Sequence, residues 1–134
     1  MDVLKTDKQT IDLLITRHEE FKVKQRSLSL DDLFEWNSLL ELFMDTRTQA
    51  QSEYIESKNK LENKVSVRKA VLRNEKDDAG KKKNTESWID DTVAIEFDED
   101  YVELAIKKTL IEFMTNKITT IPEYINLGKK FNPN

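Results

Sequence analysis

Cysteine is absent from the chain. That excludes a disulfide framework, a thiolate zinc site and a cysteine nucleophile, and it suits a reducing cytosol. Glycine and proline are nearly absent as well, with two of each: Gly80, Gly128, Pro122 and Pro133. A β-sandwich or barrel turns about every ten residues and draws on both for its turns, so the scarcity predicts few, long elements. No stretch approaches the roughly 18 apolar residues of a membrane span. The start, Met1-Asp2-Val3-Leu4-Lys5, lacks the basic-then-apolar run of a signal peptide, and the expected localisation is cytoplasmic, the host cytoplasm for a viral protein. No glycine-rich phosphate loop, Walker motif or dinucleotide fingerprint occurs.

Several kinds of chemistry lack their residues. His18 is the sole histidine, and it falls at the edge of an apolar helical stripe without a visible nucleophile or orienting partner. Metal sites ordinarily need several histidine or cysteine ligands. The acids Asp90, Asp91, Glu96, Asp98, Asp100 and Glu103 lack the order of a calcium loop and its turn glycine. A solvated or charge-paired role is expected for them. No catalytic residue, metal or cofactor is assigned, and the chain is expected not to be an enzyme.

What the sequence does contain is charge and helical periodicity. Of 134 residues 37% are hydrophobic and 36% charged, with a net charge of −4. The total conceals strong segregation. Residues 1–57 hold 7 basic and 12 acidic side chains; residues 58–83 hold 10 and 4. Residues 84–103 hold 8 acidic and no basic side chain, and residues 104–134 hold 5 basic and 2 acidic.

The fold class expected is all-α: a long antiparallel helical hairpin with a smaller helical C-terminal part, in one domain spanning 1–134. An N-terminal helix covers 5–26, with Thr6 and Gln9 at capping-box spacing and Ile11, Leu14, Ile15, His18 and Phe21 on one face. The hairpin covers 31–118, with its turn near 78–84. Its first arm opens at Asp31 and Asp32, which suit the positive end of a helix dipole. It carries a heptad seam through Leu33, Trp36, Leu40, Phe43, Arg47, Ala50, Tyr54, Ser57 and Leu61, continued by Val65, Arg68 and Leu72. Gly80 supplies the freedom for reversal, and Thr85 or Ser87 caps the second arm. That arm bears two apolar rows, one through Tyr101, Leu104, Ile111, Met114 and Ile118, the other through Val102, Ile106, Leu110 and Phe113. Two rows on one helix call for cover on more than one side. Tyr101, Leu104, Ile106, Leu110 and Phe113 are therefore the candidate interface of a homo-oligomer. A short helix over 120–128 closes the chain, with Thr120 as cap, Pro122 in its first turn and Gly128 at its end.

The basic segment is the functional cue. Lys64, Arg68, Lys69, Arg73 and Lys76 approach the turn, and Lys81, Lys82 and Lys83 lie in it. These eight are the candidate nucleic-acid contacts, a phosphate-binding stripe and tip. The competing expectation is internal: if the chain folds back at Gly80, the stripe lies beside Glu86, Asp90, Asp91 and Glu96 and is neutralised by them.

The segment Leu33-Phe34-Glu35-Trp36-Asn37-Ser38-Leu39, the basic stretch Lys58 to Arg73, and the run Leu110-Ile111-Glu112-Phe113 through Ile118, Ile121, Ile125 and Phe131 together resemble the layout of the UvsY-like recombination mediators of T-even-type phages. The resemblance is one of pattern and covers about two thirds of the chain. It implies a ring-forming helical protein that binds single-stranded DNA and loads a recombinase. The alternative is a small helical protein-binding module that inhibits or recruits a host or viral enzyme.

Overall fold

In the computed structural model residues 8–24 and 27–131 are described. They form four helices: α1 (Lys8–Val23), α2 (Leu30–Asn74), α3 (Glu86–Glu96) and α4 (Asp98–Phe131). The fold is all-α, and the chain reverses between α2 and α3 as a helical hairpin. Among the described residues the sole β-pairing is an isolated antiparallel bridge, Lys76 with Lys82. No helix among them is long and apolar enough to cross a membrane.

The 45 residues of α2 contain no helix breaker, and its start is fixed by a reciprocal cap. The Ser29 hydroxyl accepts from the Asp32 amide at 3.1 Å, and the Asp32 carboxylate accepts from the Ser29 amide at 2.9 Å. This is the capping-box arrangement with aspartate in the place of glutamate, and donation from both the amide and the hydroxyl of Ser29 holds the Asp32 carboxyl below its ordinary range. At the other end the Asn84 side chain donates through Nδ2 to the Leu72 carbonyl at 2.8 Å, satisfying an acceptor that the last helical turn leaves open. Thr85, not Ser87, caps α3, its hydroxyl accepting from the Trp88 amide.

The chain expected as one domain contains two compact units. The first takes α1, α2 through Glu53 and α4 from Lys107; the second takes Tyr54–Ile106. In the first unit Leu14, Phe21, Leu33, Trp36, Leu39, Phe43, Ala50, Met114, Ile121 and Ile125 close one core. Trp36 stacks between Phe21 and Tyr124, with ring centroids 5.5 and 5.8 Å away. The seam expected on α2 is used at Leu33, Trp36, Phe43 and Ala50, while Thr46 is buried where Arg47 was expected. Each large side chain so buried contributes roughly 1.5–3 kcal/mol before chain entropy is counted. In the second unit Leu72, Ile89 and Val93 form a smaller core, flanked by Val65 and Phe97.

The separate helix expected over 120–128 is not formed. The α4 helix runs through Pro122 and Gly128 to Phe131. Proline in a helix interior removes a hydrogen bond and costs about 3 kcal/mol. Here Ile121 and Ile125 on either side of it are buried, as is Met114 two turns earlier. Burial of this continuous face outweighs the break. The Thr120 hydroxyl, expected to cap a new helix, donates instead to the Lys117 carbonyl within the old one. Thr6 of the expected N-terminal cap lies outside the described residues, as does Arg26 of the expected linker.

Candidate nucleic-acid interface

The basic face of α2 in the second unit meets the acidic face of α3. Arg68 donates through Nε and a terminal nitrogen to the two Glu96 oxygens at 2.8 and 2.9 Å. Arg73 does the same with Glu86 at 2.8 and 3.1 Å. The Lys69 ammonium lies 3.0 Å from Asp90. As numbers rise along α2 those of the partners fall, which is the order an antiparallel hairpin imposes. These hydrogen bonds push the Arg68 and Arg73 guanidinium groups above their ordinary range and hold the Glu86 and Glu96 carboxyls below theirs. The pairs are exposed, so they fix register more than they add stability. Asp91, the remaining acid expected here, forms no ion pair among the described residues.

Three of the eight candidate nucleic-acid contacts are thus neutralised internally. Lys64, Lys76, Lys81, Lys82 and Lys83 are exposed and form no ion pair among the described residues. Four of these five lie in the loop between α2 and α3, whose conformation is well determined by hydrogen bonds. The Asp77 carboxylate accepts from the amides of Ala79 and Lys81, each at 2.9 Å. Gly80 takes φ +78°, a left-handed conformation that glycine adopts without penalty. The Asp77 amide donates to the Lys81 carbonyl at 2.8 Å, and the Lys83 amide to the Glu75 carbonyl at 3.1 Å.

These two bonds flank the Lys76–Lys82 bridge, which makes it a non-hydrogen-bonded antiparallel pair. Such a pair sets its Cα atoms about 4.5 Å apart with both side chains on the same face. Like charges placed directly opposite one another destabilise a pairing. Glu86, already paired with Arg73, also lies within electrostatic reach of Lys82. Asp77 is engaged with backbone amides, and the Glu75 carboxylate accepts from Asn84 at 3.0 Å. Lysine composition announces the tip in the sequence, but the side-by-side placement of Lys76 and Lys82 has no sequence signal, because it depends on loop register.

The five residues expected at an oligomer interface fall in both units, Tyr101, Leu104 and Ile106 in the second and Leu110 and Phe113 in the first. Leu110 and Phe113 pack against the core of the first unit. Tyr101 and Leu104 line an open groove in the second unit with Leu61, Val65, Lys69 and Arg73, about 400 Å³ in volume. Ile106 remains 46% exposed.

His18 lies at the centre of the first core and not at the edge of a stripe. It is 1% exposed, with the rings of Trp36, Phe43 and Tyr124 centred 6.1, 6.5 and 5.9 Å away. Neither ring nitrogen has a hydrogen-bond partner among the described residues. Burial, and then the positive charge of Lys117, lowers its pKa to about 4. Among the described residues no group of three or more histidine and carboxylate side chains is arranged to hold a metal ion.

The chain matches no family model, and comparison with curated proteins and with solved structures likewise gives no match.

Proposed function

We propose that the chain is a non-enzymatic accessory protein that binds single-stranded nucleic acid through the lysine-rich loop of its second unit, the role that resemblance to the phage recombination mediators implies. The observation that supports this is the division of the basic side chains. Arg68, Lys69 and Arg73 are matched by acids of α3, while Lys76, Lys81, Lys82 and Lys83 are exposed at the loop and form no ion pair among the described residues, with Lys76 set opposite Lys82. A phosphate backbone laid across this tip relieves the repulsion between Lys76 and Lys82, and its recognition carries no sequence preference.

The test is anisotropy of a labelled oligothymidylate titrated at two salt concentrations, with the wild type and with Lys81, Lys82 and Lys83 changed to Gln. Weaker binding is expected, with a salt dependence flatter by about 0.7 for each phosphate that the variant no longer neutralises. Equal affinity and equal slope in the two proteins, or no binding by the wild type at low salt, overturns the proposal.

A second function, recruitment or inhibition of a protein partner, is favoured by an open groove of about 430 Å³ lined by Val67, Val71 and Phe97. Val67 and Val71 are 66% and 49% exposed there. Stoichiometric capture of one protein, abolished by Val67→Asp, distinguishes this function from the first.

A further inference from the structure

The segment formed by α3 and the start of α4 is apolar on two opposite sides, and the second unit covers one of them. The inner side is Ile89, Val93 and Phe97, packed with Leu72 and Val65. The outer side is Trp88, Ile95, Val102 and Ile106, exposed by 47, 78, 50 and 46%. Phe97, the C-cap of α3, has φ −104° and ψ 18°, yet i to i−4 bonding continues on both sides of it, Phe97 donating to Val93 and Tyr101 to Phe97, both at 3.0 Å. At about 100° per residue the four outer side chains fall within an arc of roughly 40°, on the side away from the inner row. Trp88, Ile95 and Val102 repeat every seven residues and Ile106 follows at a further four, the spacing of a coiled-coil seam.

The charge around this seam is of one sign. Between Asn84 and Ile106 there is no lysine, arginine or histidine. Glu86, Asp90 and Glu96 are turned to the cations of α2. Asp91, Asp98 and Glu99 flank the outer seam, are exposed, and form no ion pair among the described residues. Two copies of the seam laid together would set acid against acid. An apolar row with basic flanks matches it in both respects.

We propose that this outer face of α3 and α4 is a docking site for an amphipathic α-helix of a partner protein, with an apolar seam and lysine or arginine on its flanks. The site is independent of the lysine loop and of nucleic-acid binding. From Trp88 to Ile106 it extends about 27 Å, which three heptads of partner helix span.

The probe is a synthetic peptide of three heptads with Leu at the seam positions and Lys on the flanks, compared with the same peptide carrying Glu on the flanks. Binding to the full chain is followed by tryptophan emission. Trp36 is fully buried and Trp88 half-exposed, so a blue shift on binding reports Trp88. The Lys peptide is expected to bind and the Glu peptide to bind at least roughly tenfold more weakly. The double variant Ile95→Asp/Val102→Asp, checked for unchanged helicity, is expected to lose roughly tenfold or more in affinity for the Lys peptide. That variant adds two negative charges, so attraction by charge alone makes it bind the basic peptide more tightly. Unchanged or tighter binding therefore overturns the proposal. So does equal binding of the two peptides, or sedimentation showing that the wild type self-associates and the double variant does not. Should the double variant lose helicity, Ile95→Ser, at the most exposed of the four positions, gives the same comparison without the added charge.

Discussion

Acid should destabilise the first unit from near pH 6.5 downward, through His18. The imidazole is enclosed by Trp36, Phe43 and Tyr124 and has no hydrogen-bond partner for either nitrogen among the described residues. Of the charges around it, Lys117 opposes protonation most, Glu19 favours it, and Lys22 opposes it less strongly. The folded protein thus binds this proton at a pH of about 4, whereas the unfolded chain binds it near 6.5. The unfolded state gains protons first as pH falls. Stability is complete above the unfolded value and is lost progressively between 6.5 and about 4. A gap of that size is worth about 3 kcal/mol in the limit, and about 2 kcal/mol of it is lost by pH 5. For a chain of this length that corresponds to a fall in Tm of roughly 5–10 °C. Asp32, Glu86 and Glu96, whose carboxyls are held low, lose their contribution as pH falls below their ordinary values of 3.8 and 4.5, so the loss between pH 6.5 and 5 falls mainly to the histidine.

The assay is urea unfolding followed by circular dichroism at pH 7, 6 and 5, for the wild type and for His18→Phe. The variant keeps a ring among the rings and removes the titrating group. Its stability should be flat across the window while that of the wild type falls. Any packing cost of the larger ring displaces the curve without changing its slope. Because His18 is the sole histidine, its proton resonance can be followed without ambiguity and should titrate near pH 4. Parallel slopes for the two proteins, or an imidazole titrating near 6.5, would refute the reasoning.

Three further outcomes are expected. Pro122→Ala should stabilise the protein by about 1–3 kcal/mol in thermal or urea unfolding, because it restores a donor in the interior of α4. Gly80→Ala should destabilise by about 1 kcal/mol, since φ is +78° and no heavy atom lies within 4 Å of an added Cβ, leaving backbone strain as the cost. Glu96→Gln should lower the Tm at pH 7 by removing the partner of Arg68. The Glu96 carboxyl is held below 4.5, so this difference is present above that pH and should vanish as pH falls through the depressed value.

The hairpin was legible in the sequence because its determinants are local. The absence of breakers from Leu30 to Asn74 and a glycine amid polar residues at position 80 specify the arms and the turn. Pro122, Thr120 and Gly128 also form a local signal, for a helix boundary, and there the local signal loses. The burial of Met114, Ile121 and Ile125 on one continuous face overrides it, and nothing near residue 122 announces that burial. His18 could be placed on an apolar face by its spacing. Its depth depends on Trp36, Phe43 and Tyr124, which come from two other helices. The acidic partners of the basic stripe were legible as a segment, since antiparallel return brings 84–103 beside 58–76. Which acids pair with which bases is decided by register: Glu86, Asp90 and Glu96 face α2, and Asp91 does not.

Ion pairing within the second unit accounts for only part of the charge segregation. If the acidic segment existed to balance the basic one, the two would cancel across α2 and α3. They cancel at three pairs, Arg68 with Glu96, Lys69 with Asp90 and Arg73 with Glu86, and a fourth cation, Lys60, pairs with Glu56 on its own helix. Beyond these pairs the lysines of the loop stand at one end of the α2–α3 hairpin. Asp91, Asp98 and Glu99 stand on the outer face of its second arm, beside an apolar seam. The cations and anions left over are separated on the same unit, and each set carries a cost that internal pairing does not remove: repulsion between Lys76 and Lys82 in one case, exposed Trp88, Ile95 and Val102 in the other. On the function and docking site proposed above, this one small helical unit would bridge two partners of opposite charge, a phosphate chain at the loop and a basic helix on the outer face.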